Sequence, residues 1–99
     1  MIKHVSMWAL KDGHEGKSKA ELLEQLKKDI LGLKGVAPTL IECEVGINCN
    51  PNEKYDIVFI DIFKDLDDLK AYAGHPEHVK AAQILKEAGT MRACLDFEI

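Results

Sequence analysis

The order of hydrophobic periods along the chain predicts an α+β fold of β-α-β-β-α-β type. Three observations carry the prediction. Alternating apolar and polar residues mark both ends and the middle of the chain as strands. Apolar spacings of three and four residues mark the stretches between as helices. The loop joining the second and third strands is too short for a crossover, so these two form a hairpin.

The first strand runs from Ile2 to Leu10, with Val5, Met7 and Ala9 on one face and Ile2, His4, Trp8 and Leu10 on the other. Lys11 to Gly16 is polar, contains two glycines and reads as a loop. Ser18-Lys19-Ala20-Glu21 fits a capping box, in which the serine hydroxyl takes an orphan backbone N–H and the glutamate reaches back to the cap. Behind it Leu22, Leu23, Leu26, Ile30 and Leu33 form the apolar stripe of an amphipathic helix that Gly32 and Gly35 end. Leu40 to Ile47 is the second strand, Asn48 to Glu53 a turn by its Asn and Pro content, and Tyr55 to Phe63 the third strand. Asp65 caps a short helix carrying Leu66, Leu69 and Tyr72, which Gly74 stops. His75-Pro76 starts another, with proline at the first position, where a missing N–H costs nothing. Val79, Ala82, Ile84 and Leu85 give it an apolar side and Gly89 closes it. The last strand sets Met91, Ala93, Leu95, Phe97 and Ile99 against Arg92, Cys94, Asp96 and Glu98.

Right-handed crossovers leave few ways to wind this order. The leading one is the ferredoxin-like split βαβ sandwich: a four-stranded antiparallel sheet with helices on one face, filling residues 1–99 as one domain. A sheet with one face in water should show polar residues at every second position. The third strand does not: Tyr55, Ile57, Phe59 and Phe63 lie on one side, and Val58, Ile60 and Ile62 on the other, with Asp56 and Asp61 the only acids between. The helices cover one face, so a second copy packed on the open sheet face through a two-fold axis is expected, giving a dimeric α+β barrel.

Composition narrows the function classes. At 46% apolar and 30% charged the chain is an ordinary globular one, and its net charge of −4 without a basic stripe argues against nucleic acid. No stretch approaches the roughly 20 apolar residues of a membrane span, and the first residues lack the apolar run of a signal peptide. Three cysteines without CxxC spacing are read as free thiols in a reducing, cytoplasmic setting. His75 and His78 lack the i, i+4 spacing of a helical zinc pair, so no metal is expected, and nothing in the chain asks for a cofactor.

Several runs resemble the stress-responsive A/B barrel (Dabb) domain family: Lys3-His4-Val5, Glu44-Val45-Gly46, Tyr55-Asp56, Tyr72-Ala73-Gly74-His75-Pro76-Glu77-His78 and Leu95-Asp96-Phe97-Glu98. The Tyr-x-x-His-Pro-x-His run is the most specific of them, and Gly74 stands where the family carries a bulkier residue. The resemblance implies a ferredoxin-like homodimer closed into a barrel. Family members include plant stress-induced proteins, a plant polyketide cyclase and many bacterial proteins of unknown role, and the fold is similar to that of small cofactor-free monooxygenases.

In the cyclase the working residues match His4, Tyr72 and His78 here. The resemblance therefore implies His78 as a general base, kept neutral by the start of its helix, Tyr72 as a phenol that holds a carbonyl or enolate, and His4 as part of the pocket wall. Read for structure alone, His75 caps a helix, Tyr72 is a core aromatic and His4 a satisfied strand histidine. Two functions follow. One is a non-catalytic or stress-linked dimeric module, with room for a small apolar ligand as an optional addition; the other is a cofactor-free enzyme acting on a polyketide-like or enolisable small molecule. They differ in one observation, a cavity of roughly a few hundred Å³ with His78, Tyr72 and His4 pointing into it; a filled core there would end the second.

Overall fold

The computed structural model describes all residues 1–99. β1 (Ile2–Leu10) leads into two short strands, β2 (Gly13–His14), within the segment expected to be a plain loop, and β3 (Lys17–Ser18), just beyond it, which pair as a small hairpin. α1 spans Lys19–Leu31. Its capping box is formed as read: the Ser18 hydroxyl accepts from the Glu21 N–H at 3.2 Å and the Glu21 carboxylate from the Ser18 N–H at 3.1 Å. The chain leaves α1 through Gly35, whose φ of +87° only a glycine takes without strain. β4 (Glu42–Ile47) and β5 (Ile57–Phe63) form the expected hairpin, each starting two residues later than the hydrophobic pattern suggests. α2 spans Leu66–Ala73. The single helix expected after it is two, α3 (Pro76–Ala81) and α4 (Gln83–Ala88), which meet at Ala82. β6 (Gly89–Glu98) closes the sheet. Gly89 is required where α4 turns into β6: a Cβ there would run into the Leu85 carbonyl and lie 3.0 Å from the Trp8 ring.

The sheet order is β4-β5-β1-β6, all antiparallel, so the first and third long strands of the chain lie in the centre. The register shifts between Ala9 and Leu10 on the β6 side. There the Leu10 N–H turns to the Asp56 carboxylate at 2.8 Å, which explains one of the two acids in the third-strand segment. The helices cover one face. Leu22, Leu23, Leu26 and Ile30 of α1 pack with Val45, Ile57, Phe59 and Phe63 of the sheet in one buried cluster. Leu26 and Phe63 have no exposed surface at all, and each such side chain contributes about 1.5–3 kcal/mol by leaving water.

The other face is uncovered. Pairing aligns Val5 of β1 with Ile60 of β5 and Leu95 of β6, and Met7 with Val58 and Ala93, so apolar side chains run in rows across three strands. Leu95 is 64% exposed, Phe97 42% and Met91 41%. Phe59 and Trp8 lie on the helix side, and Phe59 is buried within the single subunit. The demand for a partner therefore comes from the opposite rows. No helix is long and apolar enough to cross a membrane, and the three cysteines are unpaired. Ser18→Ala should lower stability by about 1 kcal/mol, read as a lower urea midpoint with an unchanged slope.

Candidate functional site

The run Tyr72 to His78 is the corner between α2 and α3, and each residue type in it has a task. Tyr72 sits in the last turn of α2. Gly74 ends that helix with its N–H on the Lys70 carbonyl at 3.2 Å, and the His75 N–H reaches the Tyr72 carbonyl at 3.0 Å. His75 caps α3, its Nδ1 accepting from the Glu77 N–H at 3.2 Å, with Pro76 at the first helical position. The Ala73 carbonyl thereby loses both of its helical donors, because Pro76 has no N–H and that of Glu77 is taken. His78 Nδ1 supplies the replacement at 3.1 Å.

A carbonyl only accepts, so Nδ1 of His78 carries the hydrogen and the neutral ring keeps its lone pair on Nε2. Burial holds the His78 pKa below the ordinary 6.5; the Ala73 hydrogen bond opposes this, and His4 and His75 push in the same direction as burial. The neutral ring agrees with the sequence expectation, but the cause differs. Burial is the main one, and α3 is only six residues long, so the helix start is a weak source of the effect.

Tyr72 is 3% exposed and belongs to the buried cluster. Its ring lies 5.1 Å from that of Phe63 and 4.4 Å from that of His78, tilted by 48° and 54°. Burial pushes its phenol pKa up, helped by Asp61 and Cys43, so the hydroxyl keeps its proton and acts as a donor. It is at once the core aromatic of the structural reading and a wall of the cavity.

The sheet supplies the opposite wall through its register. On the helix side one row reads Cys43, Asp61, His4, Asp96 across β4, β5, β1 and β6; the next reads Val45, Phe59, Ser6, Cys94, and the third Ile47, Ile57, Trp8, Arg92. His4 Nδ1 donates to the Asp96 carboxylate, with Cys94 Sγ 3.6 Å from the same nitrogen. Arg92 lies over Trp8, its guanidinium carbon 5.6 Å from the ring centroid.

Between this wall and α2–α3 is a cavity of about 310 Å³ into which His4, Trp8, Asp61, Tyr72, His78 and Arg92 all face. That volume is at the lower end of ordinary ligand sites, roughly 300–1,000 Å³. The three residues singled out from sequence thus meet at one place, and His75 serves the helix cap outside the lining. Asp61, Asp96 and Arg92 were not assigned roles. Asp61 was detectable, as the one acid at an alternate position among Ile57, Phe59 and Phe63. Asp96 and Arg92 depend on the β1–β6 register, which local pattern does not contain.

Two clusters bring metal-ligand atom types within 4.8 Å of one another: His4, Cys94 and Asp96 at the cavity, and His14, Glu15 and Glu87 at the small hairpin. In the first the His4 nitrogen is already bonded to Asp96, and in the second His14 Nε2 ties the hairpin to α4 through Glu87 at 3.0 Å.

Asp61 is 3% exposed, and its Oδ1 has no hydrogen-bond partner. Burial raises its pKa above the ordinary 3.8, partly offset by Cys43 and His4. The folded chain then holds this proton over a range in which the unfolded chain has lost it, so its contribution is complete below 3.8 and disappears as pH rises through the folded pKa. In Asp61→Asn the stability difference from wild type should be flat below 3.8 and grow in the variant's favour toward neutral pH, as measured by urea unfolding across a pH series.

Comparison with known proteins agrees with this architecture. The model of the Stress Responsive A/B Barrel Domain matches residues 2–99. A solved structure from Bacteroides fragilis, described as a dimeric protein of unknown function and ferredoxin-like fold, is 38% identical, with a TM-score of 0.91 over 99% of this chain and 95% of that one. A dimeric ferredoxin-like protein of unknown function from Thermobifida fusca is 21% identical over 99% and 90%, with a TM-score of 0.81. The hydroxynitrile lyase of Passiflora edulis shares the fold at 17% identity, with a TM-score of 0.78 over 99% and 92%. A comparison with proteins of curated function finds no match. With its fold, its Tyr-x-x-His-Pro-x-His corner and a family match over residues 2–99, the chain belongs to the stress responsive A/B barrel domain family.

Proposed function

We propose that this chain works as a homodimer in which each subunit's cavity takes up a small, largely apolar carbonyl compound and moves a proton at the carbon beside the carbonyl, without a cofactor. Uptake of a ligand is the coarser part of the reading and proton transfer the finer. One observation carries the finer part: the Ala73 carbonyl holds the hydrogen of His78 on Nδ1, so a basic Nε2 is left free at a half-buried site beside the Tyr72 ring. His78 Nε2 takes the proton from carbon, the C–H pair becomes the C=C bond as the carbonyl π pair moves onto oxygen, and the resulting enolate is met by the Tyr72 O–H. His4, bonded to Asp96, lines the wall opposite. Trp8, Phe59, Leu69 and Leu85 supply the apolar lining.

The test is the relaxation of enol-rich benzoylacetone to its keto form after dilution into water, followed by loss of enol absorbance. It runs the same proton transfer in reverse. His78→Ala should lower the protein-catalysed rate by about 10²-fold or more, with far-UV circular dichroism unchanged. Equal rates in the two proteins would remove the base and leave only ligand uptake. Because the His78 pKa lies below 6.5, the wild-type rate should stay level through neutral pH and fall with an inflection below 6.5.

Self-association is supported by the exposed apolar rows and by the dimeric relatives. Sedimentation velocity should give twice the 11.1 kDa of one chain. Leu95→Glu, at a side chain the single subunit leaves 64% exposed, should return the protein to the mass of one chain while it stays folded. Wild type sedimenting as a single chain would overturn the dimer.

A further inference from the structure

A carboxyl group stands where the packing asks for a hydrocarbon. Asp61 follows Ile57 and Phe59 and precedes Phe63 on the helix side of β5, and those three are among the most buried residues of the chain. Its own exposure is 3%, and Oδ1 is the one buried side-chain oxygen or nitrogen with no hydrogen-bond partner. An apolar residue of similar size would avoid that cost, so nothing in the packing explains the acid. Asp61 does, however, face the cavity shared by Tyr72 and His78.

We propose that Asp61 is a ligand-contacting acid of the cavity, donating a hydrogen bond from its protonated carboxyl to the carbonyl or enolate oxygen of the bound compound. The proposal rests on the cavity's reading as a site for enolisable carbonyl compounds and adds a second donor to Tyr72. Five of the elements around Asp61 and the cavity bring a titratable or charged group, while α1 and α4 bring Ile30 and Leu85. From β4 comes the Cys43 thiol, which burial pushes up to about 12 and so keeps neutral. From α2 comes the Tyr72 phenol, also held neutral by burial. From α3 comes His78, shifted toward its neutral form. From β1 comes His4, already bonded to Asp96 on its far side. Arg92 of β6 lies two rows away over Trp8. Burial is the larger effect on the Asp61 carboxyl and shifts it toward the protonated form, while the Cys43 thiol and His4 draw it toward the charged one.

The consequence is a specificity. A site with two neutral O–H donors and one neutral base suits a ligand that arrives uncharged and gathers negative charge on oxygen as it reacts. It disfavours a ligand that brings a carboxylate against Asp61 itself, since the cation of the cavity, Arg92, lies two rows away over Trp8.

Benzoylacetone serves as the probe. Its binding is read by quenching of Trp8, the chain's single tryptophan and part of the cavity wall. Asp61→Asn, which retains an N–H donor, should bind within a few-fold of wild type. Asp61→Leu should bind roughly tenfold more weakly, as expected for one lost hydrogen bond, while unfolding at no lower urea concentration than wild type. In the infrared, wild type at neutral pH should show the C=O stretch of a protonated carboxylic acid that is missing from Asp61→Asn and moves to lower frequency when the probe binds. Absence of that band, or Asp61→Leu binding as tightly as wild type, would overturn the Asp61 role and leave His78 as base untouched. Loss of the base alone appears instead as an unchanged enol relaxation rate in His78→Ala, with the Asp61 results intact. Wild type that fails to bind the probe would overturn both.

Discussion

Antiparallel register is the constraint on which the rest of this structure depends. Side chains alternate faces along a strand, so a single choice of partners decides which residues share a row and which side of the sheet the row faces. With β1 in the centre, His4 is placed between Asp61 and Asp96, Ser6 between Phe59 and Cys94, and Trp8 between Ile57 and Arg92. The same choice sends Val5, Met7, Leu95 and Phe97 to the uncovered side. Cavity wall and apolar outer face are therefore two sides of one pairing. A slip by one residue would exchange them, burying the polar set of β6 on the outer face and filling the cavity with hydrocarbon.

The helical side of the site depends on a smaller event, the loss of two donors at Ala73. A continuous helix through residues 72–78 would bond every carbonyl to an N–H four residues on, and His78 would have no backbone acceptor within reach. Pro76 removes one donor and His75 diverts another, so the Ala73 carbonyl is left for the His78 ring. One interaction thus fixes the ring's tautomer and its seat against Tyr72. The proline at a helix start is a local backbone feature, and its effect here is felt on a side chain two residues later.

The protein carries two costs that stability alone does not account for. One is the buried carboxyl of Asp61, without a partner for Oδ1; the other is an apolar sheet face with Leu95 and Phe97 in water. Natural chains hold such features where function or assembly uses them. The first belongs to the interior of one subunit and the second to its outside, and both arise from the β5, β1 and β6 strands. Assembly on the outer face would support the same strands that carry His4, Asp61 and Asp96 within.

Local chemistry was enough to read the strands and helices, the capping box at Ser18, the helix restart at His75-Pro76 and the presence of two apolar faces on the third strand. These depend on neighbours within a few residues, which a sequence displays directly. The short β2–β3 hairpin was not legible, because its two-residue strands are too brief to show a period, and the break at Ala82 was not, because alanine is the strongest helix former and gives no local sign of a stop. His4, Tyr72 and His78 were legible as candidates through the family motif, yet their meeting at one cavity was decided by the fold. So was the direction of β6, whose clean alternation fits either face equally well. Only pairing with β1 turned Met91, Leu95 and Phe97 outward and brought Arg92 and Asp96 to the site. The physical reason is distance along the chain: His4 and Asp96 are 92 residues apart, and no local preference links them.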